Sequence, residues 1–321
     1  NIGELIGNTP LVKLNRVMPE ETKPLVLVKI ESFNPGGSVK DRTSANMVLE
    51  AEQAGLIKPG GTLVEPTAGN TGVGLAIAGV LKGYKTIFAM PEKMSKEKEL
   101  LLRAYGADVV RTPTNVPPED ERSYYKVADR IGRETPGGFV PNQFENPNNP
   151  AAHYATTGPE IWRDTEGRIT HFIAGLGSGG TISGTAKYLK EKNPNIKIIG
   201  VDPEGSIYHH TYHGTEPNLH PYKVEGTGED FIPKTVDLDI LDDMIAVEDR
   251  DAFQMTRRLA REEGILVGGT SGASVFAATT FIKDLTENDV VVVLLPDTGR
   301  NYLSTIFNDE WLTSNGFEDL I

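Results

Sequence analysis

A chain of 321 residues with 38% hydrophobic content can bury a sizeable core and suggests two lobes of roughly 100 to 200 residues each. Its formal net charge of −13 repels phosphates and anionic lipid, and no basic run with interleaved aromatics offsets it, so neither nucleic acid nor a membrane is expected as a partner. The chain has no cysteine, which excludes a disulfide framework, a thiolate zinc site and a cysteine nucleophile.

In chain order, helical patterns cover 42–54, 72–81, 96–105, 182–192 and 251–263. Between them, short β-branched runs at 62–65, 86–90, 108–111, 171–174, 197–201 and 290–295 read as strands. This alternation predicts an α/β fold with parallel sheets and helices on both faces, and the near-continuous hydrophobicity of the strands fits burial on both sides. The stretches 112–121, rich in proline and acid, and 206–222, rich in His, Tyr, Gly and Pro, read as loops. The longest apolar run, 290–295, is far short of the roughly 20 residues that span a bilayer. No charged-then-apolar leader opens the chain, so a cytoplasmic location is expected.

Three segments carry chemistry. HFIAGLGSGGTISG (171–184) is a strand, a glycine-rich turn and a helix, in which backbone N–H groups can approach a phosphate at the helix N-terminus. The spacing of Gly175, Gly177 and Gly180, with Asp202 ending the next strand, also satisfies a dinucleotide fingerprint; the loop alone does not separate the two readings from each other or from a turn that needs small residues for packing. LVEPTAGNTGVGLAIAG (63–79) repeats the design, with Thr67, Asn70 and Thr71 bringing side-chain donors that suit a carboxylate or merely cap the helix. In NPGGSVKDR (34–42), Lys40 follows a proline-glycine turn at a helix start. There a desolvated amine can lose its proton and form a Schiff base, although most lysines are solvated surface charges.

Together these motifs resemble the cysteine synthase and cystathionine β-synthase family, pyridoxal-phosphate enzymes of fold type II. The likeness runs from IGNTPLVKL (6–14) through LPDTGRNYLS (295–304), with PGGSVKDR, EPTAGNTG and GSGGT in the family's order and separation. The resemblance implies pyridoxal 5′-phosphate as cofactor, Lys40 as its covalent anchor and as the base that removes the Cα proton, and Gly177, Ser178, Gly179, Gly180 and Thr181 around the cofactor phosphate. It implies that Asn70 meets the ring hydroxyl oxygen and that Thr270 of GGTSGAS faces the pyridine nitrogen, where a neutral hydroxyl favours elimination and replacement over transamination. Thr67, Ala68, Thr71 and Gln143 would surround the substrate carboxylate, with Ala68 in place of the family's usual serine.

Several segments lean toward the cystathionine β-synthase branch: NPAAHY (149–154), VDPEGSI (201–207), YKVEGTGEDFIP (222–233) and LPD ending at Asp297. By the same resemblance Tyr154, Gly226 and Gly228 would lie close to the bound amino acid. The expected reaction joins L-serine to L-homocysteine to give L-cystathionine, with cysteine as an alternative donor that releases hydrogen sulfide; O-acetylserine plus sulfide giving cysteine is the alternative. A homodimer is expected. So are a cofactor-binding lobe of 1–39 and 144–321 and a smaller movable lobe of 40–143 that closes over substrate as a unit.

The family's animal members carry a haem ligated through cysteine, which a cysteine-free chain is not expected to hold. No metal site is expected either, because His209, His210 and His213 form a histidine cluster with no carboxylate at matching spacing. A nicotinamide-dependent dehydrogenase built on Gly175, Gly177, Gly180 and Asp202 would leave Lys40 and the TAGNT loop unexplained. A non-catalytic scaffold would have no need for Lys40, Asn70 and Thr270 together.

Overall fold

The computed structural model describes residues 1–67, 69–92, 94–114, 116–117 and 119–321. The chain begins with β1 (Leu11–Lys13) and β2 (Leu25–Ile30), then builds α1 (Lys40–Gln53), β3 (Thr62–Pro66), α2 (Asn70–Lys82), β4 (Lys85–Pro91), α3 (Lys96–Ala104), β5 (Asp108–Thr112), α4 (Tyr124–Glu134) and β6 (Gly138–Phe139). It continues through α5 (Asn148–Ala155), α6 (Thr157–Asp164), β7 (His171–Gly175), α7 (Gly180–Lys192), β8 (Lys197–Pro203), α8 (Tyr208–His213) and β9 (Asp243–Val247). The last elements are α9 (Asp249–Arg258), α10 (Gly269–Phe281), β10 (Val290–Leu295) and α11 (Asp309–Ser314).

Two sheets organise these elements, one of six strands in the order β1-β2-β10-β7-β8-β9 and one of four in the order β5-β4-β3-β6. Every pairing in them is parallel except β1 with β2. The reason lies in the strand sequences. All of VVVVLL in β10 is buried, and its residues alternate between two cores. Val291, Val293 and Leu295 pack toward Phe253 of α9 and Val275 of α10, while Val292 and Leu294 pack toward Ile161 of α6 and Leu189 of α7. Each such side chain contributes about 1.5–3 kcal/mol by leaving water. The smaller sheet repeats the device: Leu63, Phe88 and Met90 meet α1 and α2, and Val64 and Ala89 meet Val127 and Ala128 of α4. The α/β expectation is borne out as a pair of three-layer units.

The six expected strands and five expected helices all form, with ends shifted by a few residues. The stretch 206–222 is not all loop. Its first part is α8, anchored by the fully buried Tyr208, whose hydroxyl donates to the Gly177 carbonyl at 2.5 Å, and ended by Gly214 at φ +64°. The helix expected over 251–263 changes pitch at Leu259–Glu263, a π turn in which the Glu263 carboxylate accepts the backbone N–H groups of Asn15, Arg16 and Val17. Strand β2 went unread because LVLVKI carries Lys29. That lysine is fully buried and sits 2.8 Å from Glu160 of α6. Among the described residues no helix is long and apolar enough to cross a membrane.

Candidate active site

Strand order alone marks where a ligand goes. In the larger sheet the chain moves from β7 outward to β8 and β9, then returns to place β10 on the other side of β7; in the smaller sheet β4 and β5 lie on one side of β3 and β6 on the other. At such reversals the loops leaving neighbouring strands diverge and open a crevice at their carboxyl ends. The loops after β7, β10, β3 and β6 all line one cavity of about 1240 Å³.

The loop after β7 has the geometry of an anion site. Helix α7 starts at Gly180, and the first N–H groups of a helix have no partner within it. Gly179 takes φ +77°, and a Cβ there would lie 1.8 Å from Val236; a Cβ on Gly177 would lie 2.7 Å from the Gly226 carbonyl, so the backbone itself forms the wall. Ser178 is held from behind, its hydroxyl accepting from the Asn149 amide at 2.8 Å. Thr181 is held by His153, whose Nε2 lies 3.2 Å from the Thr181 hydroxyl and 3.1 Å from that of Thr43. Burial first, and then the charges of Arg42 and Lys40, push the pKa of His153 well below its usual range, so it is a neutral hydrogen-bonding hub. Gly177, Ser178, Gly179 and Thr181 line the cavity; Gly180 lies just behind them, against Asn149.

Lys40, the first residue of α1, brings its Nζ to 3.2 Å from the Ser178 hydroxyl. Burial lowers its pKa from 10.5 to about 8, against the upward pull of the Glu229 carboxylate. Far more of this amine is unprotonated near neutrality than on an ordinary lysine, as reaction with a carbonyl requires. Thr270, in the first turn of α10, donates its hydroxyl to the Glu225 carbonyl at 3.0 Å and lines the same cavity.

On the opposite wall, Thr67, Asn70 and Thr71 stand at the N-terminus of α2, and the Thr71 hydroxyl donates to the Gln143 side chain at 2.8 Å. Gln143 is set by Glu65, whose carboxylate accepts the backbone N–H groups of Asn142 and Gln143 at 2.9 and 3.0 Å; its burial raises the Glu65 pKa to about 7. Asn70 donates to Asp297 at 2.8 Å and accepts from Asn301 at 3.3 Å. Ala68, the fourth expected carboxylate contact, lies outside the described residues.

Gly226 and Gly228 line the cavity as expected of a rim. Tyr154 does not. It is 36% exposed on α5, its hydroxyl donates to Glu191 at 2.7 Å, and its ring packs edge-on against Tyr188. Asp202, the acid of the dinucleotide reading, is fully buried and accepts the His209 backbone N–H at 2.9 Å, where it serves α8. Sequence reasoning did not single out Glu65, Asn149, His153 or Glu229. Only Glu65, a lone acid ending the apolar strand TLVEP, stands out in its own segment; the others depend on partners that the fold brings to them.

A cradle of backbone donors, a lysine of lowered pKa, an amide and a hydroxyl around one cavity fit a phosphorylated aromatic aldehyde, and with the paired switch points they are the features of fold type II. Residues 2–297 match the family of pyridoxal-phosphate dependent enzymes, and the chain belongs to that family. Its cofactor is pyridoxal 5′-phosphate.

Within the family it is similar to the cystathionine β-synthase of Apis mellifera, 46% identical over 97% of this chain and 62% of that protein. It is also similar to the cysteine synthase of Staphylococcus aureus, 48% identical over 95% of this chain and 96% of that one. A hydrogen sulfide-producing enzyme from Fusobacterium nucleatum superposes with a TM-score of 0.87 at 41% identity, covering 94% of this chain and 99% of that one. The chain spans less than two thirds of the length of the bee, rat and yeast cystathionine β-synthases it matches, at 62%, 56% and 65%.

Proposed function

We propose that the enzyme carries out β-replacement on a serine-type amino acid, joining L-serine to L-homocysteine to give L-cystathionine. The observation that carries this reading is one cavity of about 1240 Å³ in which the glycine-rich loop after β7 and Lys40 face the N-terminus of α2, which supports room for cofactor and substrates together. Pyridoxal phosphate, when bound, supplies the electron sink that acidifies the Cα–H of an amino acid.

The chain's own residues do the rest. Gly177 to Thr181 hold the phosphate, while Thr67, Thr71 and Gln143 hold the substrate carboxylate. Asn70 offers an N–H to the ring oxygen. Thr270 offers a hydroxyl, which rotates to donate or accept, to the ring nitrogen. With its pKa near 8, the Lys40 amine takes the Cα proton and is placed to return it after the thiol has replaced the β-hydroxyl.

Two contacts support closure of 40–143 over the substrate: Lys98 of α3 pairs with Glu225, and Asn70 bonds to Asp297. Glu229 at the rim is half-buried, and burial and Asp230 raise its pKa to about 8; the ammonium of an incoming amino thiol would favour its ionised form and pair with it. A cytoplasmic homodimer completes the reading.

A second reading, cysteine synthesis from O-acetylserine and sulfide, is favoured by the 48% identity to the staphylococcal cysteine synthase. Purified protein is incubated with serine or O-acetylserine, each with homocysteine or sulfide, and products are identified by mass spectrometry. Cystathionine from serine and homocysteine is the expected result. Cysteine formed from O-acetylserine and sulfide, with no cystathionine in any mixture, would move the assignment to cysteine synthase. The same protein given cysteine and homocysteine tests sulfide release.

A further inference from the structure

Asp297 closes the LPD segment at the end of β10, and no role has yet been assigned to it. It is 4% exposed and lies in the cavity wall. Its Oδ2 accepts from Asn70 Nδ2 at 2.8 Å and from the Tyr302 hydroxyl at 2.6 Å. Its Oδ1 is buried without a hydrogen-bond partner among the described residues, packed so closely on Gly268 that a Cβ there would come within 2.3 Å. The backbone around it is fastened to the loop that carries Lys40: Val39 N–H donates to the Pro296 carbonyl at 2.8 Å and Thr298 N–H to the Gly37 carbonyl at 3.0 Å. Asp297 is thus fastened to the loop that leads into Lys40, and it reaches across the cavity to α2.

A primary amide has two N–H donors and one acceptor oxygen. A carboxylate accepts but does not donate, so the nitrogen side of Asn70 must face Asp297. Asn301 Nδ2 donates to Asn70 Oδ1 at 3.3 Å, which agrees with this orientation but does not impose it, since the Asn301 amide can turn as well. One N–H of Asn70 then remains uncommitted. We propose that Asp297 is the positioning residue for Asn70, fixing its amide so that the remaining N–H, and never the oxygen, is presented to the ring oxygen of the cofactor. The proposal rests on the reading of Asn70 given above and adds the residue that makes it work. Without Asp297 the amide can turn its oxygen toward the ring oxygen, and the anionic form of that oxygen loses its donor.

The test uses the holoenzyme with Asn70→Ala, Asp297→Ala, Asp297→Asn and the Asn70→Ala/Asp297→Ala pair. Two quantities are read: the ratio of visible to near-ultraviolet absorbance of the bound cofactor, and cofactor affinity from titration of the cofactor-free protein. The expectation is that Asn70→Ala lowers the ratio several-fold and weakens affinity roughly tenfold, the loss of one hydrogen bond to a charged group. Asp297→Ala should do the same and add nothing further when Asn70 is already alanine. Asp297→Asn still offers Asn70 a carbonyl oxygen and should restore the wild-type ratio. Should Asp297→Ala not fold, Asp297→Ser, too short to reach Asn70, carries the same expectation. An Asp297→Ala effect that persists in full in the Asn70→Ala background overturns the proposal, as does a wild-type ratio in Asp297→Ala beside a lowered one in Asn70→Ala. An unchanged ratio in Asn70→Ala removes the reading of Asn70 itself, and the proposal with it.

Discussion

Lys40→Met is expected to lower β-replacement turnover by a factor on the order of a thousand or more while making the cofactor-free protein more stable at neutral pH. The first effect follows because no other amine approaches the phosphate cradle as Lys40 does among the described residues, at 3.2 Å from Ser178. The second follows from burial. The folded protein holds Lys40 at a pKa of about 8, against 10.5 when free. At about 1.4 kcal/mol per pH unit, and discounted because the ammonium keeps contact with the open cavity, the charged form costs the fold about 1–3 kcal/mol.

The sign is fixed by proton counting. Between pH 8 and 10.5 the unfolded chain binds more protons at this lysine than the folded one, so wild-type stability rises with pH across that window; below it the penalty is present in full. Denaturant titrations of the cofactor-free proteins should show Lys40→Met ahead at pH 7 and level with wild type above about pH 10.5. A variant less stable than wild type at pH 7 would mean that Lys40 is a structural residue.

Arg42→Met is expected to be the most destabilising of the single changes considered, by about 3–5 kcal/mol, or roughly 5–15 °C in Tm. Arg42 is 3% exposed and its guanidinium is shared by two buried carboxylates, Glu31 at 2.7 and 2.9 Å and Glu160 at 2.7 and 2.8 Å. These contacts tie α1 to α6 and to the segment after β2, directly beneath Lys40. Burial alone would raise the Glu160 pKa; the hydrogen bonds and charge of Arg42, joined by Lys29, hold it down to about 2.

In the wild type, the stability this carboxylate contributes is complete above about pH 4.5 and is lost as pH falls toward 2. Without Arg42, Glu31 is left buried without its cation and Glu160 keeps Lys29 alone. Glu160, with less to hold its pKa down, then takes up its proton at higher pH, and the deficit of the variant should narrow on acidification. Thermal melts at pH 7 and pH 4.5 compare the two proteins; a deficit that widens toward acid would show that the network is not charge-bearing. Arg42→Lys, which keeps the charge and loses the fork, should fall between them.

What the sequence disclosed and what it hid have a common physical cause. Strand β10 is legible because burial on both faces leaves no polar residue in VVVVLL. Strand β2 is hidden because Lys29 is buried there by virtue of the Thr9 carbonyl and of Glu160 and Asp164, far along the chain. The glycine loop and Lys40 are local features, a turn geometry and a helix start, and local spacing suffices to find them. His153 and Asp297 act through partners brought together by the fold, so little in their own neighbourhoods announces them, whereas Glu65 shows only as an acid in an otherwise apolar strand.

Tyr154 shows the opposite failure. The resemblance carried it toward the substrate, but on α5 the inward face is set by Asn149, Ala152 and His153, at helical spacings of three and four, and the next residue turns outward. The 206–222 stretch misled in a similar way, since its helix depends on one buried tyrosine meeting the Gly177 carbonyl rather than on any run of helix formers.

The measurement that bears most directly on the central claim is borohydride reduction of the holoenzyme followed by proteolysis and peptide mass mapping. Reduction converts the carbon–nitrogen double bond between cofactor and lysine to a stable amine, which marks the anchoring residue permanently. The account predicts the cofactor mass on the peptide containing Lys40. A mark on another lysine, such as Lys98 in the same cavity, or no mark on a protein that shows the visible band, would contradict it.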